Sequence, residues 1–160
     1  MSDSQIDTIA EIAKKVSAEN NRRFRMEKTI NDLLTERQEV LVAMCELAEL
    51  ESKDVGTESV IENLKIFSQT LVDYTAFGHF EIYERIIDGK ERRVKVNRIA
   101  DQVYPSISAT TEYIVEFNDK YDGADDPESL TNLYKDLSFI GETIAKRIES
   151  EDKLLNEMTS

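Results

Sequence analysis

The chain has 160 residues, 40% of them hydrophobic, with 20 basic against 33 acidic side chains and a formal net charge of −13. That length suits one domain able to bury about 68–70% of its unfolded surface, and the apolar content excludes a wholly disordered chain. The acidity disfavours direct nucleic-acid binding and favours basic partners, while a single cysteine, Cys45, excludes an intramolecular disulfide and, with one histidine, a zinc site.

The lone cysteine suits a reducing compartment. The opening "MSDSQIDTIAEIAKK" lacks the basic start and apolar run of a signal peptide. "VLVAMC" is far short of the roughly 20 apolar residues of a membrane span. The expectation is a soluble cytoplasmic protein.

Five glycines and two prolines leave few obligatory breaks, so long helices are expected. Apolar residues recur with helical period almost throughout, and no strand-like alternation of any length interrupts them. Ile6, Ile9, Ile12, Ala13 and Val16 predict an amphipathic opening segment over 1–21. The polar "SAENNRRFR" after it either bends the chain or lies within one long helix. The first strong helix is predicted over 22–51, with Met26, Ile30, Leu34, Leu41, Met44, Cys45 and Ala48 on one stripe.

"ESKDVGTE" reads as a loop, and a second helix follows over 57–88, ending at "DGKER". The third covers 92–121 with Val96, Ile99, Val103, Ile107, Thr110, Ile114 and Phe117 inward; Pro105 should kink or divide it. After "NDKYDGADDPES", Asp126-Pro127-Glu128 reads as a helix start: an Asx cap, proline at the first position and an acid in the first turn. The last helix then runs to 157. The fold class is all-α. One domain over 1–160 is expected, an up-and-down antiparallel four-helix bundle (22–157) with a short extra N-terminal helix.

The second helix has two apolar faces. Val60, Leu64, Phe67, Leu71, Tyr74, Gly78 and Ile82 form a narrow stripe, the expected core face. Glycine inside a helix costs about 1 kcal/mol relative to alanine, so Gly78 marks either a kink or a close helix approach. Asp73, Ala76, Phe80, Tyr83 and Ile87, bordered by Glu84, form a second stripe on the opposite side. Either the N-terminal segment or a wide bundle covers that stripe, or it binds a protein partner.

Charges interrupt two inner stripes: Arg37 in the first helix, and Glu151 with Asp152 at its edge in the last. Either Arg37 snorkels to solvent or opposite charges from two core faces meet, with Asp73 and Tyr83 as further members of such a network. His79 lies off both stripes of the second helix and reads as a hydrogen-bonded structural residue of the same polar network rather than a general base.

Enzyme readings find little support. A di-iron bundle needs Glu-x-x-His motifs, and the residue three before His79 is Ala76. Phosphate-binding, dinucleotide-binding and nucleophile-elbow glycine motifs are missing from the sequence. No catalysis, cofactor or metal is expected. "NRRFR" and "KERRVK" read as surface salt-bridging segments in so acidic a chain.

"FSQTLVDYTAFGHFEIYERII" closely resembles the signature of the Rsd/AlgQ family, bacterial regulators of the primary sigma factor. "VYPSISATTEYI", "LSFIGETIAKRIESEDKLL" and "LLTERQEVLVAM" resemble further blocks of that family in the same order. The resemblance implies a helical bundle that binds region four of the housekeeping sigma factor, covering its promoter-reading helix-turn-helix and its contacts with core RNA polymerase. It matches Asp73, Gly78, His79, Phe80, Tyr83, Glu84, Arg37, Glu151 and Asp152 to family positions. Two departures stand near the side expected to face sigma. The family's Ser-Ala before Gly-His is Ala76-Phe77 here, and its Asp-x-Trp is Asn31-Asp32-Leu33.

The expected partner surface is therefore Asp73, Ala76, Phe77, Phe80, Tyr83, Glu84 and Ile87, with Arg37 and Glu151 ordering the bundle. Three rival readings keep the same surface or interior for other uses: a paralogue joining RNA polymerase to another regulatory protein, a homo-oligomer, and a small-molecule sensor or enzyme using Asp73, His79 and Tyr83.

Overall fold

With no glycine before Gly56 and no proline before Pro105, nothing in the opening sequence forces a helix to stop. A computed structural model describes residues 2–160, with side chains from residue 8 onward, and its first helix, α1, runs unbroken over Ser2–Glu49. The opening segment is thus continuous with the first bundle helix rather than a separate short helix. Ile6 lies outside the described side chains.

α2 (Thr57–Gly78) continues through a π-helical turn, His79–Tyr83, into the single turn α3 (Glu84–Ile87). α4 (Val94–Tyr121) and α5 (Leu133–Met158) complete the set. No strand occurs among the described residues, and none of the described helices is long and apolar enough to cross a membrane.

The chain forms two compact units, Met1–Asp32 and Leu33–Ser160. In the first, Ile9, Ile12 and Val16 are exposed, and Lys28 pairs with Asp32 one turn on at 3.1 Å. In the second, the helix directions follow from which residues meet. Ser106 meets Ser150, Thr110 meets Arg147, and Lys120 meets Asp136, so α4 and α5 are antiparallel. Leu33 approaches Gly78 while Arg37 reaches Tyr74, which makes α1 and α2 antiparallel as well. Phe67 stacks edge-on against Phe117 at 5.7 Å, and Ile87 faces Ala100 and Tyr104 across a groove, giving α2 and α4 the same relation. This is the up-and-down bundle.

Local chemistry sets the ends. α4 passes through Pro105 undivided, because the proline sits on the exposed side where water can satisfy the carbonyl one turn back. It stops before Gly123, whose φ of +74° is readily taken only by glycine. Asp126 does cap, accepting the Ser129 N–H at 2.7 Å, but it caps a short 3₁₀ turn, Glu128–Leu130; α5 begins only at Leu133.

The core holds Phe67, Leu71 and Tyr74 of α2, Ile114 of α4 and Ile140, Ile144 and Leu154 of α5. From α1 it takes Leu33, Val40, Ala43 and Leu47, whereas Leu34, Cys45 and Ala48 are exposed. The stripe read through Leu34 and Leu41 is therefore rotated by about one residue. α1 carries two adjacent apolar stripes, with Arg37 between them, and the one through Leu33 and Val40 is buried. In urea unfolding, Leu33→Ala should cost about 2–5 kcal/mol and Leu34→Ala about 0.5 kcal/mol or less. The reverse order would restore the other stripe.

Candidate functional site

The bundle interior is built around one carboxylate. Glu151, on the buried face of α5, is completely shielded from solvent. Its Oε1 accepts from the Tyr74 hydroxyl and, at 3.3 Å, from Arg37 Nη2. Its Oε2 accepts from the Tyr83 hydroxyl at 2.6 Å and lies 3.5 Å from Arg147 Nε. Arg37 also donates through Nη1 to Asp152 Oδ1 at 2.8 Å.

Arg147 is itself 1% exposed; its Nη1 donates to the hydroxyls of Thr111 (2.8 Å) and Thr110 (3.1 Å). Its guanidinium carbon stands 5.8 Å from the ring centres of both Tyr74 and Tyr83, within cation–π range. Two cations thus face two anions, and the two tyrosine hydroxyls add donors to the buried carboxylate, which offsets the cost of burying its charge.

The tyrosines report this environment. Burial first, and then the negative charge of Glu151, push both phenols well above the ordinary tyrosine value. A phenol whose folded value is raised favours the fold fully while the unfolded phenol stays protonated, below about pH 10, and that stability is lost as pH rises further.

Gly78 makes room for this centre. A Cβ there would lie 3.2 Å from Tyr83 Cε2, 3.4 Å from Glu151 Oε2 and 3.6 Å from Leu33 Cδ1. The glycine marks a close approach, where an added Cβ would need the Tyr83 ring to give by a few tenths of an ångström. Its φ of −58° is ordinary helix, and the irregularity lies just after it, in the π turn. There the Glu84 N–H donates to the His79 carbonyl five residues back. The extra residue carries Tyr83 inward, beside the buried Ile82.

The expected partner surface is redrawn accordingly. Tyr83, read as part of the outer stripe, is 4% exposed and belongs to the network. Asp73 is on the outside, bonded to Gln69 Nε2 at 2.8 Å, and takes no part in the network. Phe80 and Ile87 are exposed by 60% and 56%, large values for apolar residues of a bundle helix. Ala76, Phe77 and Glu84 are half-buried.

His79 is exposed and stacks edge-on against Phe80 at 4.9 Å. It takes no part in the Glu151 network, contrary to the expected structural role. Leu33, at the position where the family departure was expected to face a partner, is wholly buried. Among the described residues no group of three or more His, Cys, Asp or Glu side chains is placed to hold a metal ion. Arg147 and Thr111 were missed by sequence reasoning, and Thr110, read as inward, was not assigned to the network. The signal was there for Arg147, which shares a stripe with Ile140, Ile144, Glu151 and Leu154 at spacings of four and three.

Residues 12–159 match the family model described as "Regulator of RNA polymerase sigma(70) subunit, Rsd/AlgQ". The chain belongs to the Rsd/AlgQ family. It is 34% identical to a "Regulator of sigma D" of Yersinia enterocolitica, over 79% of this chain and 77% of that protein. A "Regulator of sigma D" of Shigella boydii is 35% identical over 80% of this chain and 82% of its own. Within this Rsd/AlgQ chain, Gly78, Tyr83, Glu151 and Arg37 converge on one buried centre, and Phe80 is left to solvent.

Two outcomes test this centre. Arg147→Met and Glu151→Leu, each stranding an opposite charge, should lower unfolding free energy by about 3–5 kcal/mol in denaturant titrations. Stability measured from pH 8 to 11 should fall above about pH 10, and more gently in Tyr74→Phe, which removes one of the raised phenols.

Proposed function

We propose that this protein is an anti-sigma-type regulator that binds region four of the housekeeping sigma factor through the outer face of α2 and α3. The face comprises Asp73, Ala76, Phe77, Phe80, Glu84 and Ile87. The observation that carries this reading is the exposure of Phe80, 60% open on a helix whose other side is committed to the core. A large exposed aromatic beside acids suits a desolvated anchor ringed by polar contacts.

The net charge of −13 complements a basic promoter-reading module. It would speed encounter, while the apolar residues would hold the complex. Family membership supplies the partner class: its description names a regulator of the sigma(70) subunit. Bound there, the protein would cover sigma's promoter and core-polymerase contacts and leave core enzyme open to alternative sigma factors. No catalytic step is involved.

Titration with purified region four of the same organism's primary sigma factor should show binding at low salt that weakens markedly as salt rises. Phe80→Ala should weaken it by about 30-fold or more, the loss of a central anchor, with the thermal melt unchanged. Absence of binding to folded sigma at low salt, or undiminished binding by the variant, would sink the proposal.

A further inference from the structure

The outer face of α2 and α3 depends on a choice between two helical registers. An uninterrupted α-helix would pair the Glu84 N–H with the Phe80 carbonyl and carry Tyr83 out beside Asp73, Ala76 and Phe80. In the structure the same N–H reaches back to His79 instead, and Tyr83 points inward. The registers therefore present different side chains to a partner. One shows Tyr83, and the other keeps it inside.

A π turn is rarer than the α turn it replaces, so something specific must hold it. Three observations converge on Tyr83. Its hydroxyl donates to the fully buried Glu151 at 2.6 Å, its ring stands 5.8 Å from the Arg147 guanidinium, and a Cβ at position 78 would crowd that ring at 3.2 Å. Tyr74 provides an internal comparison. It donates to the other oxygen of Glu151 but lies in the regular part of α2, before the turn.

We infer that Tyr83, anchored by Glu151 and admitted by Gly78, sets the π register of 79–83 and so determines which side chains form the outer face. It is a positioning residue for the proposed sigma-binding surface, and this binding role rests on the reading above. The register itself is a property of the free protein.

The test uses the full chain without a partner. The carbonyl that accepts the Glu84 N–H is identified by NMR from the scalar coupling across the hydrogen bond: His79 in the π register, Phe80 in the α register. Tyr83→Phe should shift the acceptor from His79 to Phe80. Gly78→Ala, which keeps the hydroxyl but crowds the ring, should cause the same shift. Tyr74→Phe should leave the acceptor at His79.

If Tyr83→Phe and Tyr74→Phe shift the acceptor equally, or if neither Tyr83→Phe nor Gly78→Ala shifts it, the inference is overturned. Should Tyr83→Phe fail to fold, Gly78→Ala decides. In sigma titrations, Tyr83→Phe should bind several-fold more weakly than Tyr74→Phe. If the unmodified protein does not bind sigma, the proposed function falls, while the acceptor of the Glu84 N–H still decides the register.

Discussion

The fully buried carboxylate of Glu151 is the constraint on which the rest of the structure depends. Removing a charge from water is costly, and here each neighbouring element contributes to offsetting that cost: Arg37 from α1, Tyr74 from α2, Tyr83 from the π turn and Arg147 from α5 itself. Each donor can reach Glu151 only if its helix is turned to the right angle. The network therefore selects rotations that apolar packing alone leaves open. In α1 the buried face takes Leu33 and Val40 rather than Leu34, and Arg37 reaches Glu151 and Asp152 from the edge of that face.

The same constraint reaches the surface. The last turns of α2 and α3 have an inner side fixed by Tyr83 and Glu151 and an outer side carrying Phe80 and Ile87. A rigid inner anchor gives an exposed aromatic a defined position. Pre-organisation of this kind limits the ordering cost of association. In the proposed account, long-range charge brings the basic partner in, and a small apolar face shaped from within holds it.

Much of the fold was legible because the signals were local. Few glycines and prolines, period-3.6 apolar stripes and polar loop segments placed four long helices near their observed spans, except at the start of α5 and at the start of α1, which runs back to Ser2. The charged interruptions at Arg37 and Glu151 pointed to an ion pair across two helices, and those residues do meet. The misreading of Tyr83 comes from the assumption of a constant helical period. A single π turn moves Tyr83 from the outer stripe to the interior, and nothing short of its tertiary hydrogen bond announces that turn. Arg147 was overlooked because arginine is rarely fully buried, although its stripe position gave it away. His79, the chain's lone histidine, drew attention that its exposed position does not reward.

The central claim is that Tyr83 and Glu151 act as one unit rather than as two separate contributions to stability. A double-mutant cycle crossing Tyr83→Phe with Glu151→Gln, followed by denaturant unfolding, tests it most directly. The account predicts a coupling energy of about 1–3 kcal/mol, with the double variant far less destabilised than the sum of the singles. Simple additivity would contradict it.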